Sequence, residues 1–209
     1  MRRIAAKYLY VNADFTPIHD GFVELDDNGV VLKTGKSEDI SSEKEYYDGA
    51  VVPGFVNAHC HLELSSMRGK FRKGTGMAGF IDQINELRDS TTHEQKLEEI
   101  SYWMKTLWNR GVSAMADISN CSDTFAEKST SPMYTRTFLE VFGTEPEDCD
   151  AVMDGVRELK KTADSFGIDA APTPHACYTM SPELLTAVSK EGLKSGFLSF
   201  HSEETQEEE

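Results

Sequence analysis

The sequence predicts an α/β fold: a parallel sheet with helical crossovers, preceded by a small β module. Three observations carry this. From about residue 50 onward, short apolar runs alternate with helical patterns, the arrangement of strand-helix-strand units. The first fifty residues contain no helical pattern, and an Asn28-Gly29 pair lies between apolar runs, a strong hairpin signal. Histidine-rich polar segments follow the strand candidates directly, where both barrels and open α/β sheets build their sites.

Taken in order, Ala5 to Val11, Gly21 to Leu25 and Val30 to Lys33 read as strands, with Asp26-Asp27-Asn28-Gly29 as a turn and Ser37 to Tyr47 as a polar patch. Residues 1–50 form one expected domain and 51–209 the other. Val51 to Val56 is expected to be a buried strand. Helical patterns follow over Met77 to Arg88 and Glu94 to Arg110, the second closed by Gly111 as a C-terminal cap. Val112 to Ile118 and Tyr134 to Phe142 read as strands, Pro146 to Phe166 as a helix, and Ile168 to Pro172 as a strand. Ser181-Pro182 opens a helix ending near Gly192, with Ser at the N-cap and Pro at the first helical position. Gly196 to Phe200 completes a count of about five strands. A closed eight-stranded barrel typically needs about 250 residues, so periodicity leaves two architectures: an open doubly wound sheet or most of a half barrel. No phosphate-binding glycine fingerprint follows any strand, which disfavours a nucleotide-binding open sheet.

Composition excludes several classes. A net charge of −15 with 39% hydrophobic residues fits a folded acidic protein and disfavours a phosphate-backbone binder. No nucleic acid partner is expected. No stretch approaches the roughly 20 apolar residues that span a bilayer, and no secretory segment is evident, so a cytoplasmic protein with no membrane association is expected. Cys60, Cys121, Cys149 and Cys177 lack any CxxC spacing and are expected to be reduced thiols without a chemical role.

The polar residues after the strands are Asn57 to His61, Asp117 to Asn120, Pro174-His175 and His201 to Glu204, so four of the six histidines sit at strand ends. His59 and His61, two apart on an extended segment, point to the same side and can share a metal ion. An isolated HxH pair is equally at home hydrogen-bonded to backbone. His201, a third imidazole, and Glu204, a carboxylate three residues on, favour a ligand set with a proton carrier. Glu63 either points into the pocket or pairs with Arg68. Arg68-Gly69 and Gly74 to Met77 flank a loop with lid-like composition, equally readable as plain surface. His19 and His93 read as solvated, Asp117 as a strand end either bonded to backbone or catalytic, the Trp103, Met104, Leu107 and Trp108 stripe as core, and the acidic stretches Glu145 to Asp154 and Glu203 to Glu209 as solvated charge.

Val52-Pro53-Gly54-Phe55-Val56-Asn57-Ala58-His59-Cys60-His61-Leu62-Glu63 closely resembles the first barrel strand of the amidohydrolase superfamily. Thr173 to Pro182 resembles the fourth-strand segment of its deaminase and chlorohydrolase branch, and His201-Ser202-Glu203-Glu204 resembles the HxxE that ends the fifth strand there. The Glu63-containing variant is most similar to the aminodeoxyfutalosine and adenosylhomocysteine deaminase group. The resemblance implies a partial (β/α)8 TIM-type barrel and an N-terminal piece of a small β-sandwich. It further implies one divalent metal, zinc before iron, held by His59, His61 and His201. Two-metal members use a carboxylated lysine where this chain has His175, which would instead meet the substrate, as would Glu63. Glu204 would move the proton in hydrolytic deamination of a small aromatic amine, such as a purine-type base or modified nucleoside.

The superfamily also carries a histidine after the sixth strand and an aspartate after the eighth, neither of which occurs in these 209 residues. The expectation is therefore an N-terminal portion of a longer enzyme, inactive alone, with unpaired sheet edges that invite association and a possible homo-oligomer. Chlorohydrolases share the motifs. A naturally short half barrel, or a non-catalytic half-barrel scaffold, is the reading from another class. A cytidine-deaminase-type zinc fold, prompted by His61-Leu62-Glu63, lacks its Pro-Cys-x-x-Cys partner.

Overall fold

A computed structural model describes residues 1–12, 16–41, 43–88 and 90–208. The chain divides into two compact units, Met1–Gly54 and Phe55–Glu209.

The first unit is a four-stranded sheet in the order β3-β2-β1-β4, formed by β1 (Arg2–Leu9), β2 (Ile18–Leu25), β3 (Val31–Lys36) and β4 (Glu45–Val51). β1 and β2 pair antiparallel, as do β2 and β3, while β4 runs parallel to β1. The hairpin turn forms as expected. Asp26 Oδ1 accepts from the amides of Asn28 and Val30, and Gly29 takes φ 82°, a conformation that disfavours side-chain-bearing residues. Ala5, Ala6, Leu9, Phe22 and Val23 are the buried hydrophobic residues of this sheet.

The second unit holds a parallel sheet in the order β5-β6-β7-β8: β5 (Phe55–Cys60), β6 (Val112–Ser119), β7 (Tyr134–Val141) and β8 (Asp169–Pro174). Its helices are α1 (Gly76–Leu87), α2 (His93–Asn109), α3 (Phe125–Thr130), α4 (Cys149–Ser165) and α5 (Pro182–Gly192). Thr92 and Gln95 form a reciprocal capping box at the start of α2, and Gly111 at φ 86° ends it. Ser181 Oγ accepts from the Leu184 amide at the start of α5. Met153 and Val156 of α4 and Leu184 and Val188 of α5 are buried with Leu139 and Val141 of β7 in one core. A second core joins Leu62 to Ile100, Met104, Met115 and Met133. Full burial of each such side chain is worth about 1.5–3 kcal/mol, enough for two clusters to hold the helices against the sheet.

Four expectations need correction. The single strand at Val51 to Val56 is instead a break: Val51 ends β4, and Phe55 opens β5 in the other unit. Pro53 has no N–H for a ladder, so neither strand continues through it. Nor is β5 buried, since its only strand partner among the described residues is β6. The Ser37 to Tyr47 patch hides the start of β4; its Ser42 lies outside the described residues. Gly196 to Phe200 is not a strand. The His175 amide bonds to Val141 of β7, so Pro172 and Pro174, at the alternate positions, face the opposite side, where a fifth strand would need their missing donors. The segment is tethered instead by Thr173 Oγ1, which bonds the amide and carbonyl of Ser199, and by a bridge between Ala176 and His201.

Candidate functional site

The C-terminal ends of β5, β7 and β8 and the segment tethered beside β8 converge. Ring centroids lie 5.1 Å apart for His59 and His61, 4.9 Å for His59 and His201, 5.3 Å for His61 and His201, and 4.8 Å for His175 and His201. His59, His61 and His201 each offer one ring nitrogen, all within 4.8 Å of one another. A second group with the same spacing is Glu140, His175 and His201. Within the first unit His19 packs against Tyr8, and in the second His93 lies beside Asp123.

The local chain explains the convergence. His59 and His61 flank Cys60 on the extended end of β5, after which the backbone turns into a 3₁₀ segment, Leu62–Met67. His201 is brought in by its amide, which donates to the His175 carbonyl at 2.7 Å. Nε2 of His201 lies 3.1 Å from Glu140 Oε1, and Nδ1 lies 3.8 Å from Glu204 Oε1. Glu204 Oε2 accepts from the Tyr178 hydroxyl at 2.5 Å. His175 Nδ1 pairs with Thr179 Oγ1 at 2.9 Å.

Electrostatics separate the imidazoles. Burial, then the neighbouring His201, lowers the pKa of His59; burial likewise dominates the lowering at His61. Both therefore favour the neutral form, whose lone pair can bind a cation. The hydrogen bond that Glu140 accepts from its ring raises the pKa of His201. Burial pushes the Glu140 carboxyl up, but its bonds with His201 and Asn120 and the nearby imidazoles outweigh this and lower it. Three imidazoles with a carboxylate behind one of them are a donor set suited to a borderline divalent cation such as zinc.

Glu63 is not paired with Arg68. Its Oε2 accepts from the Asn120 amide at 2.9 Å and the Cys121 thiol at 3.3 Å, while Arg68 stacks over the Trp103 ring at 4.2 Å. Burial raises its pKa. Burial also pushes the Cys60 and Cys121 thiols up to about 12, and all four cysteines are free. Asp117 accepts from the Leu62 backbone amide at 2.7 Å, as expected of a backbone-bonded strand end. The acidic tail is not merely solvated, because Glu208 accepts from the amides of Glu203, Glu204 and Thr205; its Glu209 lies outside the described residues.

Glu140 was not singled out from the sequence, although it is a lone carboxylate inside the apolar run Phe138-Leu139-Glu140-Val141 near a strand end. It is buried, and Asn120 Nδ2 donates to both its carbonyl and its Oε2. Lys128 carries no comparable signal, since nothing around it in the sequence marks its complete burial.

A parallel α/β sheet that gathers histidines at its C-terminal strand ends defines the class: an α/β protein with its candidate site at that end of the sheet. The chain belongs to the Amidohydrolase family, whose model matches residues 50–209. A 5-methylthioadenosine/S-adenosylhomocysteine deaminase of Bacillus cereus (strain AH820) is 21% identical, with 97% of this chain and 51% of that protein covered. Helicobacter pylori aminofutalosine deaminase, solved with methylthio-coformycin, superposes with a TM-score of 0.78 at 21% identity, covering 96% of this chain and 50% of the other. An adenosine deaminase from Xanthomonas campestris, solved with bound zinc, gives 0.75 at 17%, covering 98% and 50%. The fold is thus a partial (β/α)8 barrel, and the chain spans about half the length of the relatives it matches. Among the described residues, no helix is long and apolar enough to cross a membrane.

Proposed function

We propose that this chain supplies the metal-binding half of a hydrolytic deaminase acting on a small aromatic amine, a purine-type base or modified nucleoside. One observation carries the reading: three imidazoles from two separate chain segments present nitrogens within 4.8 Å of one another at the sheet's C-terminal end. His59, His61 and His201 would hold one divalent cation, zinc in preference to iron. A cation held there would lower the pKa of a bound water from 15.7 toward about 7.

Residues of this chain would supply part of the remaining chemistry. Glu204, beside His201 and held by Tyr178, protonates the ring nitrogen next to the carbon bearing the amine. Water would add to that carbon, one of its protons passing to the amine and the other restoring Glu204, so that ammonia leaves and the ring keeps the oxygen. His175, whose ring lies beside that of His201, would hydrogen-bond the substrate. Glu63 has both of its bonds on Oε2, which leaves Oε1 for a substrate hydroxyl or amine.

Metal analysis of the purified chain tests the reading. Near one equivalent of zinc or iron, lost in His59→Ala, is the expected result; a folded, metal-free protein would instead support a half-barrel scaffold. Ammonia rather than chloride release from matched ring substrates separates a deaminase from a chlorohydrolase.

A further inference from the structure

The Asp117 and Lys128 side chains are completely buried, with Lys128 Nζ 2.6 Å from Asp117 Oδ2. Removing two charges from water costs several kcal/mol per ion, and apolar replacements of such pairs are often as stable or more so. Stability alone therefore does not account for a buried pair here, but its placement offers a reason. Asp117 Oδ1 accepts from the Leu62 amide at 2.7 Å, and the other end of the same peptide, the His61 carbonyl, accepts from the Leu64 amide at 3.0 Å. The His61–Leu62 peptide plane is thus clamped from both sides. The clamp coincides with a backbone irregularity: His61 has ψ 78°, below the range of a regular strand, as β5 bends into its 3₁₀ segment. Lys128 Nζ also bonds Thr137 Oγ1 at 3.0 Å, and Ser119 Oγ lies 3.4 Å from Asp117 Oδ2, so the clamp is anchored to α3, β6 and β7 together.

We propose that the buried Asp117 side chain, its charge balanced by Lys128, is a positioning device for His61, its Oδ1 fixing through the Leu62 amide the backbone twist that turns the imidazole toward His59 and His201. The proposal rests on the reading that these three imidazoles hold a divalent cation. Asp117 and Lys128 are positioning residues, with no contact to that cation.

Cobalt(II) binding to the full chain, read as a dissociation constant and as the visible d–d spectrum, tests it. D117L/K128M removes the pair and the acceptor without leaving a buried charge, and is expected to weaken cobalt binding about 10–100-fold and to shift the spectrum. D117N/K128M keeps an acceptor oxygen for the Leu62 amide and is expected to stay near the wild-type affinity and spectrum. Wild-type binding by D117L/K128M, or equal weakening in D117N/K128M, overturns the proposal while leaving the metal reading intact. If D117L/K128M does not fold, D117E, which keeps the charge pair but displaces the acceptor by one methylene, decides: weaker binding with a changed spectrum supports the clamp, and an unchanged spectrum overturns it. A wild-type chain that takes up no cobalt overturns the metal reading and this inference with it.

Discussion

Lys128→Met is the substitution whose cost follows most directly from the geometry. Methionine matches the length and bulk of the lysine stem, so little cavity forms and the change is mainly electrostatic. Asp117 would lose a 2.6 Å ion pair inside the protein, keeping only the Leu62 amide at 2.7 Å and the Ser119 hydroxyl at 3.4 Å. Removing one partner of a buried pair costs about 3–5 kcal/mol, and the two remaining donors place the expectation near the lower end, about 3 kcal/mol. At about 2–4 °C per kcal/mol for a unit of this size, the melting temperature falls by about 6–12 °C. Urea unfolding followed by tryptophan fluorescence reports the second unit alone, because both tryptophans, Trp103 and Trp108, lie in α2. Adding Asp117→Leu should recover most of the loss by removing the stranded carboxylate. A cost below about 1 kcal/mol for Lys128→Met, with no recovery in the double variant, would refute the reasoning.

Three further outcomes are expected. Glu140 is lowered from 4.5 and His201 raised from 6.5, so in metal-free protein the carboxylate's contribution is lost as pH falls below its folded value and the imidazolium's as pH rises above its own. The stabilisation is therefore greatest between the two, and Glu140→Gln should flatten the melting-temperature profile on both flanks; a profile parallel to wild type would count against the pair. Burial raises the Glu63 pKa, so its ionisation destabilises the fold as pH rises past 4.5, and Glu63→Gln should gain on wild type from pH 4 to 7 in the same thermal assay. Buried Gln83 bonds the Arg72 backbone, Thr75 Oγ1 and the Gly79 carbonyl, so Gln83→Ala should cost about 1–3 kcal/mol locally and speed tryptic cleavage after Arg72 and Lys73. Unchanged cleavage would show that the loop is held elsewhere.

What the sequence made legible follows from the range of each signal. The Asn28-Gly29 turn, the Gly111 cap and the Ser181-Pro182 helix start are encoded within a few neighbouring residues. The strand-end histidines were legible for a related reason, since strand periodicity fixes where a side chain points. β4 was missed because its parallel pairing to β1 is set by residues some forty positions away, and its exposed Tyr46 and Tyr47 give no alternation. The expected fifth strand failed on Pro172 and Pro174, whose effect on the neighbouring segment depends on which way each amide position faces. Glu140 was visible as a charge in an apolar run, but its partner His201 lies 61 residues on. Nothing local to Lys128 announced its pairing with Asp117.

X-ray absorption at the zinc edge of the full chain loaded with one equivalent of zinc tests the central claim most directly. The account predicts three nitrogen scatterers at about 2.0–2.1 Å with the outer-shell pattern of imidazole, falling to two in His201→Ala. A coordination shell of oxygen alone, or one unchanged by that substitution, would contradict it.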